Sequence, residues 1–256
     1  MQLIRNATLK LYYAGSTILI DPCLAPKHGL ESFAGKSLNP TVDLPASIDE
    51  IVHDVELVVV SHLHSDHYDD VAKESLSKHL PLICQPGDEE TIGQDGFADV
   101  RPLARTLEWR GIRFSRRKGS HGLGPVVEEM GPVMGIVIEA AGEPTIYWAG
   151  DTVFYPPVAA TIDELRPDVT IVHSCGALWN GDLIVMDGVQ TVDLCHLAPT
   201  SGIVIATHME ALDHATVDRL ALRREAAAAG ISEKRLLIPI DGETLDLPMS
   251  SFSKAA

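Results

Sequence analysis

The sequence of 256 residues predicts an α+β fold in which β-sheets are covered by helices on their outer faces. Three observations predict it: a hairpin pattern near the N-terminus, a middle part made of short apolar runs between Gly and Pro, and an alternation of helical and strand patterns from residue 159 onward. The hydrophobic content of 45% is sufficient to bury a core without disulfide bonds. We therefore expect one domain over residues 1–256.

The first part of the chain predicts a small antiparallel sheet followed by a long loop. Two β-like runs, residues 8–13 and 16–21, are joined at Ala14-Gly15, a pair suited to a tight turn. Residues 24–49 are rich in Pro, Gly and Ser, and they predict an irregular segment of the kind that forms a wall or lid of a site. The apolar run 58–60 then predicts a buried strand.

The remaining elements follow from the same strand and helix periodicities. A helix is predicted over residues 69–79, because Asp69 and Asp70 suit its first turn. Strands are predicted over residues 80–84, 100–103, 106–108, 112–116, 135–139 and 145–148. Beyond them the predicted order is helix 159–165, strand 169–173, helix 187–197, strand 202–207, helix 215–229 and strand 236–239.

The net charge and the cysteine positions make some binding partners and some kinds of site unfavourable. The 36 Asp and Glu residues against 20 Lys and Arg give a net charge of −16, which disfavours contact with a nucleic-acid backbone. The four cysteines are scattered and form no CxxC pair, so neither a disulfide framework nor a thiolate zinc site is indicated. Neither an export signal nor a membrane-spanning stretch stands out. We expect a cytoplasmic protein that acts on a small molecule, with a homo-oligomer left open.

Four potential metal ligands lie within six residues at the end of the predicted strand 58–60: His62, His64, Asp66 and His67. Imidazoles and a carboxylate suit zinc, manganese(II) and iron(II), and the absence of thiolates argues against a closed structural zinc site. The alternative is that these side chains decorate an exposed loop, but clustering so many titratable groups without a metal is unfavourable. We expect one or two divalent metal ions, zinc first and manganese or iron as alternatives.

The motif HxHxDH after a hydrophobic strand resembles the signature of the metallo-β-lactamase superfamily. The resemblance implies a four-layer αββα sandwich with a one- or two-metal site in the cleft between the sheets. It also implies further ligands from later strand ends, and Ser120-His121-Gly122, Ala149-Gly150-Asp151-Thr152 and Thr207-His208 match those positions. By resemblance, the first metal takes His62, His64 and His121, and the second takes Asp66, His67 and His208, with Asp151 between them.

The resemblance implies hydrolysis by a metal-activated water, with Asp66 or Asp151 orienting that water and passing a proton to the leaving group. The early Ile-Asp-Pro segment and the Ala-Gly-Asp-Thr motif are most similar to the branch related to L-ascorbate-6-phosphate lactonase. The expected substrate is a small-molecule ester, lactone or phosphodiester. Two alternatives stay open: an iron-dependent oxidoreductase of the sulfur dioxygenase type, and a non-catalytic module that binds a metal or a ligand.

Three further positions carry weaker predictions. His173 ends a predicted strand, where a contact to substrate and a satisfied core position are equally consistent. For His214, the favoured role is structural, as a supporting residue or a helix cap. The basic segment 113–118 places Lys118 where it could bind an anionic substrate at the mouth of the cleft. A solvated strand edge protected by charge is the favoured interpretation of that segment.

Overall fold

The computed structural model describes residues 1–248 and contains two large β-sheets. The first sheet has six strands that lie side by side in chain order: β1 Gln2–Arg5, β2 Thr8–Tyr13, β3 Ser16–Ile20, β4 Leu57–Val60, β5 Pro81–Cys84 and β6 Asp99–Pro102. Strands β1 to β3 pair antiparallel, whereas the pairings from β3 to β6 are parallel. The predicted hairpin is confirmed, with its second strand ending at Ile20.

The second sheet is built from the rest of the chain. The strands there are β7 Thr106–Trp109, β8 Ile112–Lys118, β9 Met134–Glu139, β10 Ile146–Trp148, β11 Val169–His173, β12 Leu178–Trp179, β13 Asp182–Leu183, β14 Ile203–Thr207 and β15 Leu236–Leu237. Seven of them form the sheet in the order β15, β14, β11, β10, β9, β8, β7, and β12 pairs with β13 as a separate ribbon. The pairings from β7 to β10 are antiparallel and those from β10 to β15 are parallel.

The described part of the chain contains seven α-helices: α1 Ile48–Val52, α2 Asp70–Ser75, α3 Glu89–Gln94, α4 Val126–Met130, α5 Pro156–Leu165, α6 Gly188–Leu197 and α7 Arg219–Ala228. Four of them begin after a side-chain cap that accepts a hydrogen bond from the backbone three residues on: Ser47, Asp69, Asp187 and Asp218. The caps set where α2, α6 and α7 begin, slightly inside the bounds predicted for them.

Four layers follow from the way these elements bury their apolar faces. Between the sheets lies one core to which the first sheet contributes Leu11, Ile20 and Val59 and the second contributes Phe114, Ile136 and Trp148. The outer face of the first sheet packs against α1, α2 and α3, and that of the second packs against α5, α6 and α7. The expected αββα sandwich is therefore confirmed, with the site-bearing strand ends at one edge of it.

The structure also contains elements that the sequence patterns did not predict: β1, α1, α3, α4 and the β12–β13 ribbon. Helix α3 has the polar sequence EETIGQ with Ile92 as its buried residue, so it carries no readable apolar period. The helix predicted over residues 69–79 ends at Ser75, because Leu76 has an extended backbone with ψ 136°. Among residues 1–248, no helix has both the length and the apolar character needed to cross a membrane.

Candidate metal centre

Asp151 lies at the centre of a group of buried histidines. Its Oδ2 atom is 3.1 Å from Nε2 of His67, 3.4 Å from Nε2 of His121 and 4.0 Å from Nε2 of His62. Its other oxygen, Oδ1, is 3.6 Å from Nε2 of His208. These residues follow strand ends in both sheets, so the inter-sheet edge brings together positions that are far apart in the chain.

Two sets of side chains have the spacing needed to hold a metal ion. In each set the candidate ligand atoms lie within 4.8 Å of one another, and the sets are His62, His64, His121 and His67, Asp151, His173, His208. Asp66 lies beside the second set, with Oδ2 at 3.1 Å from Nε2 of His208 and 3.3 Å from Nε2 of His67. The structure thus brings all seven predicted ligands to one place, and His173 lies beside them.

The donor atoms fit divalent metal ions, because a hydrogen bond at Nδ1 leaves Nε2 of each imidazole facing the cluster. Four histidines make such a contact from Nδ1: His62 with Ser61 Oγ at 2.8 Å, His67 with Asp21 Oδ2 at 2.7 Å, His121 with the Ile184 carbonyl at 2.9 Å, and His208 with Cys175 Sγ at 3.4 Å. Nε2 of His62 is buried and has no partner among the described residues. Imidazole nitrogens that converge on one another and on two carboxylates are what a histidine-rich metal site requires.

Asp21 is a supporting residue that the sequence analysis missed. It follows β3, and its carboxylate accepts hydrogen bonds from both the backbone N–H and the hydroxyl of Ser61 while contacting His67. A carboxylate behind a metal-binding imidazole fixes the ring and raises its basicity. The backbone of Asp21 has φ 47°, a left-handed conformation that is uncommon for a non-glycine residue and often found near functional sites. In the sequence, Asp21 stands out only as part of the early Ile-Asp-Pro segment.

The charges of the cluster are strongly coupled. Burial and the neighbouring imidazoles of His67 and His64 lower the pKa of His62 well below its usual value. Burial also disfavours the charged form of His67, but the carboxylates of Asp151 and Asp66 outweigh it and raise the pKa of that ring well above its usual value. Burial raises the pKa of both carboxyl groups, and their histidine partners more than reverse this, so both pKa values fall well below the usual range. The carboxylates are therefore ionised at neutral pH.

His173 contacts Asp151 from inside the protein and lines none of the pocket beside the cluster. Its Nδ1 is 2.5 Å from Oδ1 of Asp151, and its ring is completely buried. Burial lowers the pKa of His173 to about 4, so the neutral ring uses its N–H to donate to the carboxylate. The structure thus places His173 against Asp151 and away from the pocket, as expected of the buried position that was the alternative to a substrate contact.

A pocket of about 240 Å³ opens beside the cluster. Its polar lining includes Asp66, Asp151 and His214, and its apolar walls are Phe33, Met130, Trp179 and Ile184. Lys and Arg are absent from the described residues that line it. An apolar group of a small ligand can therefore be buried against these walls.

The basic segment lies in a separate groove of about 810 Å³, which meets the cluster only at His121. Lys118 is exposed at the end of β8 and lines this groove together with Arg105 and Arg116. The structure does not bring Lys118 to the pocket beside the carboxylates.

Asp213 determines the path of the loop that the sequence predicted over residues 24–49. Its carboxylate accepts hydrogen bonds from six donor groups, which belong to Ser32, Phe33, Ala34, Lys36, Ser37 and Asn39. This loop brings Phe33 into the pocket wall. The loop thus forms part of the pocket wall because Asp213, which is far away in the chain, holds it there.

Comparisons with known proteins agree with this geometry. Residues 16–222 match the family described as Beta-lactamase superfamily domain. The UPF0173 protein YddR of Bacillus subtilis (strain 168) is 36% identical over 94% of this chain and 97% of its own length. The crystal structure of a possible metal-dependent hydrolase from Veillonella parvula DSM 2008 has a TM-score of 0.90 and 38% identity, covering 95% of this chain and 97% of that one.

A second solved structure is similar over its whole length. The crystal structure of isothiocyanate hydrolase from Delia radicum gut bacteria has a TM-score of 0.88 and 31% identity, covering 96% of this chain and 97% of that one. The superfamily and the enzyme class expected from the HxHxDH motif are thereby confirmed. The chain belongs to the beta-lactamase superfamily and, within it, to the UPF0173 family of metal-dependent hydrolases.

Proposed function

We propose that this protein hydrolyses a small, uncharged substrate with an apolar substituent at a divalent metal site formed by its His/Asp cluster. The observation that carries the proposal is the pocket beside the cluster, whose walls are Phe33, Met130, Trp179 and Ile184. An apolar substituent buried there gains roughly 25 cal/mol per Å² of surface removed from water. For an anion, only the metal ions would offset the lost hydration, because no Lys or Arg is among the described lining residues.

For the metal ions we keep the assignment made from the motif. By the resemblance, His62, His64 and His121 would hold a first ion, and Asp66, His67 and His208 would hold a second, with Asp151 available to both. A divalent ion bound there lowers the pKa of a water molecule toward neutrality and polarises the electrophile. Zinc is the first candidate, and manganese and iron accept the same donors.

The two carboxylates of the site have different tasks in this proposal. Both oxygens of Asp151 already face imidazoles, so Asp151 serves as the bridge between the two sets of histidines. Asp66 uses Oδ2 for its histidine contacts, and among the described residues none donates a hydrogen bond to its Oδ1. Because Asp66 also lines the pocket, its Oδ1 is placed to accept a proton from the attacking water and deliver it to the leaving atom.

Isothiocyanates are the first substrate class that we propose, because they are small, uncharged and electrophilic at carbon, and because a similar structure is that of an isothiocyanate hydrolase. The oxygen of water adds to the central carbon and the C–N bond breaks. The nitrogen leaves as an amine after taking both protons of the water, and carbonyl sulfide is the second product. Asp66 carries the first of these protons.

Neutral lactones are the second candidate, in keeping with the resemblance to the lactonase-like branch. Water adds to the ring carbonyl, the ring C–O bond breaks, and a hydroxy acid leaves. A phosphorylated lactone and a phosphodiester are disfavoured for the part of their charge that does not reach the metal ions, because no Lys or Arg is among the described residues that line the pocket. Lys118 contacts only a substrate whose anionic end extends past His121 into the basic groove.

The test is turnover by protein loaded separately with zinc, manganese or iron, after its metal content has been measured. Benzyl isothiocyanate, dihydrocoumarin and bis(4-nitrophenyl) phosphate represent the three substrate classes. We expect turnover of the first or second and at least tenfold slower turnover of the phosphodiester. Asp66→Asn tests the proton carrier, and Asp163→Asn, at an exposed position on α5, is the matched control.

Three results would contradict the proposal in different ways. Stoichiometric metal without turnover of any of these substrates favours the non-catalytic binding module. Oxygen consumption with glutathione persulfide by the iron-loaded protein favours the dioxygenase. Preferred turnover of the phosphodiester shows that the apolar pocket does not select the substrate.

A further inference from the structure

His214 lies in the wall of the catalytic pocket and has no hydrogen-bond partner. The residue is 7% exposed, and its Nδ1 atom is buried without a donor or acceptor beside it. Neither ring nitrogen hydrogen-bonds another side chain or backbone group within residues 1–248. A buried polar atom without a hydrogen bond destabilises the protein by about 1–3 kcal/mol. A ligand or an ordered water that bonds to the atom removes this penalty.

The contrast with the other buried histidines of the site separates this one from the metal ligands. His62, His67, His121, His173 and His208 each have a partner at Nδ1 that holds the ring in place. His214 has none, and it belongs to neither set of side chains with metal-binding spacing. Its ring nitrogens have no hydrogen-bond partner among the described residues, and it lies at the edge of an apolar pocket.

Two cavities meet at His214. The catalytic pocket and a neighbouring cavity of about 410 Å³ share three aromatic lining residues, Phe33, Trp179 and His214. We call these three residues the aromatic collar. A ligand that occupies both cavities must pass the collar, with its reacting atoms on the side of Asp66 and its substituent on the side of Lys36.

Three kinds of contact hold the collar residues in place. The rings of Phe33 and His214 meet edge to face, with centroids 5.2 Å apart and planes at 88°. Asp213, the residue before His214, holds the Phe33 loop by accepting hydrogen bonds from six donor groups. Trp179 donates from Nε1 to Glu129 at 2.9 Å, which fixes the third ring.

We propose that His214 is the substrate-contacting hydrogen-bond group of the pocket and, with the collar, determines which uncharged substrates bind. This inference rests on the proposed function, because it concerns the same pocket. A neutral imidazole offers one N–H donor and one lone pair, so it recognises a heteroatom next to the electrophilic carbon. Burial lowers the pKa of His214, which keeps the ring neutral at physiological pH.

The test measures binding first, so that it does not depend on the reaction. The probe is phenylacetamide, an uncharged carbonyl compound with an aromatic substituent, titrated calorimetrically into the metal-loaded protein. His214→Phe keeps an aromatic ring against Phe33 and removes both nitrogens, and His214→Gln keeps a hydrogen-bonding end. His196→Phe, at an exposed histidine on α6, is the matched control.

We expect His214→Phe to bind the probe 10- to 100-fold more weakly, the loss of one buried hydrogen bond, with unchanged metal content. His214→Gln should recover part of the affinity, and His196→Phe should bind like the parent protein. For whichever uncharged substrate is turned over, the same variant should show a matching loss in kcat/KM.

Equal binding by His214→Phe and the parent protein would overturn the inference, and so would a parent protein that does not bind the probe. A fall in metal content in both His214 variants would make the residue a ligand or its support instead. If the probe binds in a His214-dependent manner while no substrate is hydrolysed, the inference holds and the proposed function fails. The two failures are therefore distinguishable.

Discussion

Asp213→Asn removes the negative charge that organises the loop carrying Phe33, while the size of the side chain stays almost unchanged. Four of the six donors to this carboxylate are backbone N–H groups, those of Phe33, Ala34, Lys36 and Ser37. An asparagine amide keeps one accepting oxygen and turns an NH₂ group toward donors that need an acceptor. At least two of the bonds are then lost, and the rest lose their charge.

The expected cost follows from the number and kind of these bonds. A hydrogen bond to a charged group contributes about 1.5–3 kcal/mol, and bonds that share one acceptor do not add fully. We therefore expect the loop to lose about 2–4 kcal/mol of local stability. Because about 1.4 kcal/mol corresponds to a tenfold change, the amides of Phe33 and Ala34 should exchange with deuterium roughly 30- to 1,000-fold faster.

Hydrogen exchange followed by mass spectrometry measures this directly on the peptides that cover residues 30–40. Asp163→Asn is the control for the loss of one surface charge. Faster exchange confined to the loop, together with weaker binding of phenylacetamide, is the expected pattern. If the loop amides of Asp213→Asn exchange at the parent rate, the carboxylate does not hold the loop and the account of the collar is wrong.

Three further substitutions test separate parts of the site. Asp21→Asn should lower metal affinity about 10- to 100-fold in a chelator competition, since His67 loses the carboxylate behind its Nδ1, and unchanged affinity would contradict that support. His173→Phe removes the hydrogen bond to Asp151, so it should lower kcat about 10- to 100-fold with little change in KM and with full metal content. Loss of metal from this variant would instead make His173 a metal ligand. Lys118→Gln should leave kcat/KM for uncharged substrates within about twofold, and a larger loss would place Lys118 in the pocket.

The strands, and the first group of polar side chains that the fold brings together, could be predicted from the sequence because both leave local patterns. The run that became β4 is apolar throughout, and the HxHxDH motif follows it directly, so neither needed knowledge of the rest of the chain. The αββα arrangement and the more distant ligands, His121 and His208, came from the resemblance. They lie at the ends of β8 and β14, where no local periodicity marks them as partners of the motif.

The residues that support the site were harder to predict for a physical reason. Asp21 contacts a histidine 46 positions away, and Asp213 receives hydrogen bonds from a loop about 180 positions away. Both are ordinary turn-type aspartates in the sequence, and only the three-dimensional fold shows what their carboxylates face. For His214 the sequence favours a supporting or capping role, because no local pattern shows that the fold places its ring beside Phe33.

The electrostatics of the cluster imply that metal uptake displaces protons. Burial disfavours a charged ring at His208 as it does at His67, but Asp151 and the other negative neighbours raise the pKa of both rings well above its usual value. At a pH below these raised pKa values, the rings of His67 and His208 carry protons. Their Nε2 atoms are 3.2 Å apart and can share one of these protons. A metal ion needs the lone pairs of these nitrogens, so it competes with the protons.

About one to two protons should therefore leave per fully loaded site at pH 7, and apparent metal affinity should fall as the pH decreases. Each displaced proton changes the affinity about tenfold per pH unit below the pKa. Calorimetric titration of zinc in buffers of different ionisation enthalpy measures the number released. If the heat of zinc binding does not depend on the buffer, no protons are released, and the rings of His67 and His208 are neutral before the metal binds. The raised pKa of these two rings would then be wrong, and Asp66 and Asp151 would lack the positive partners that keep them ionised.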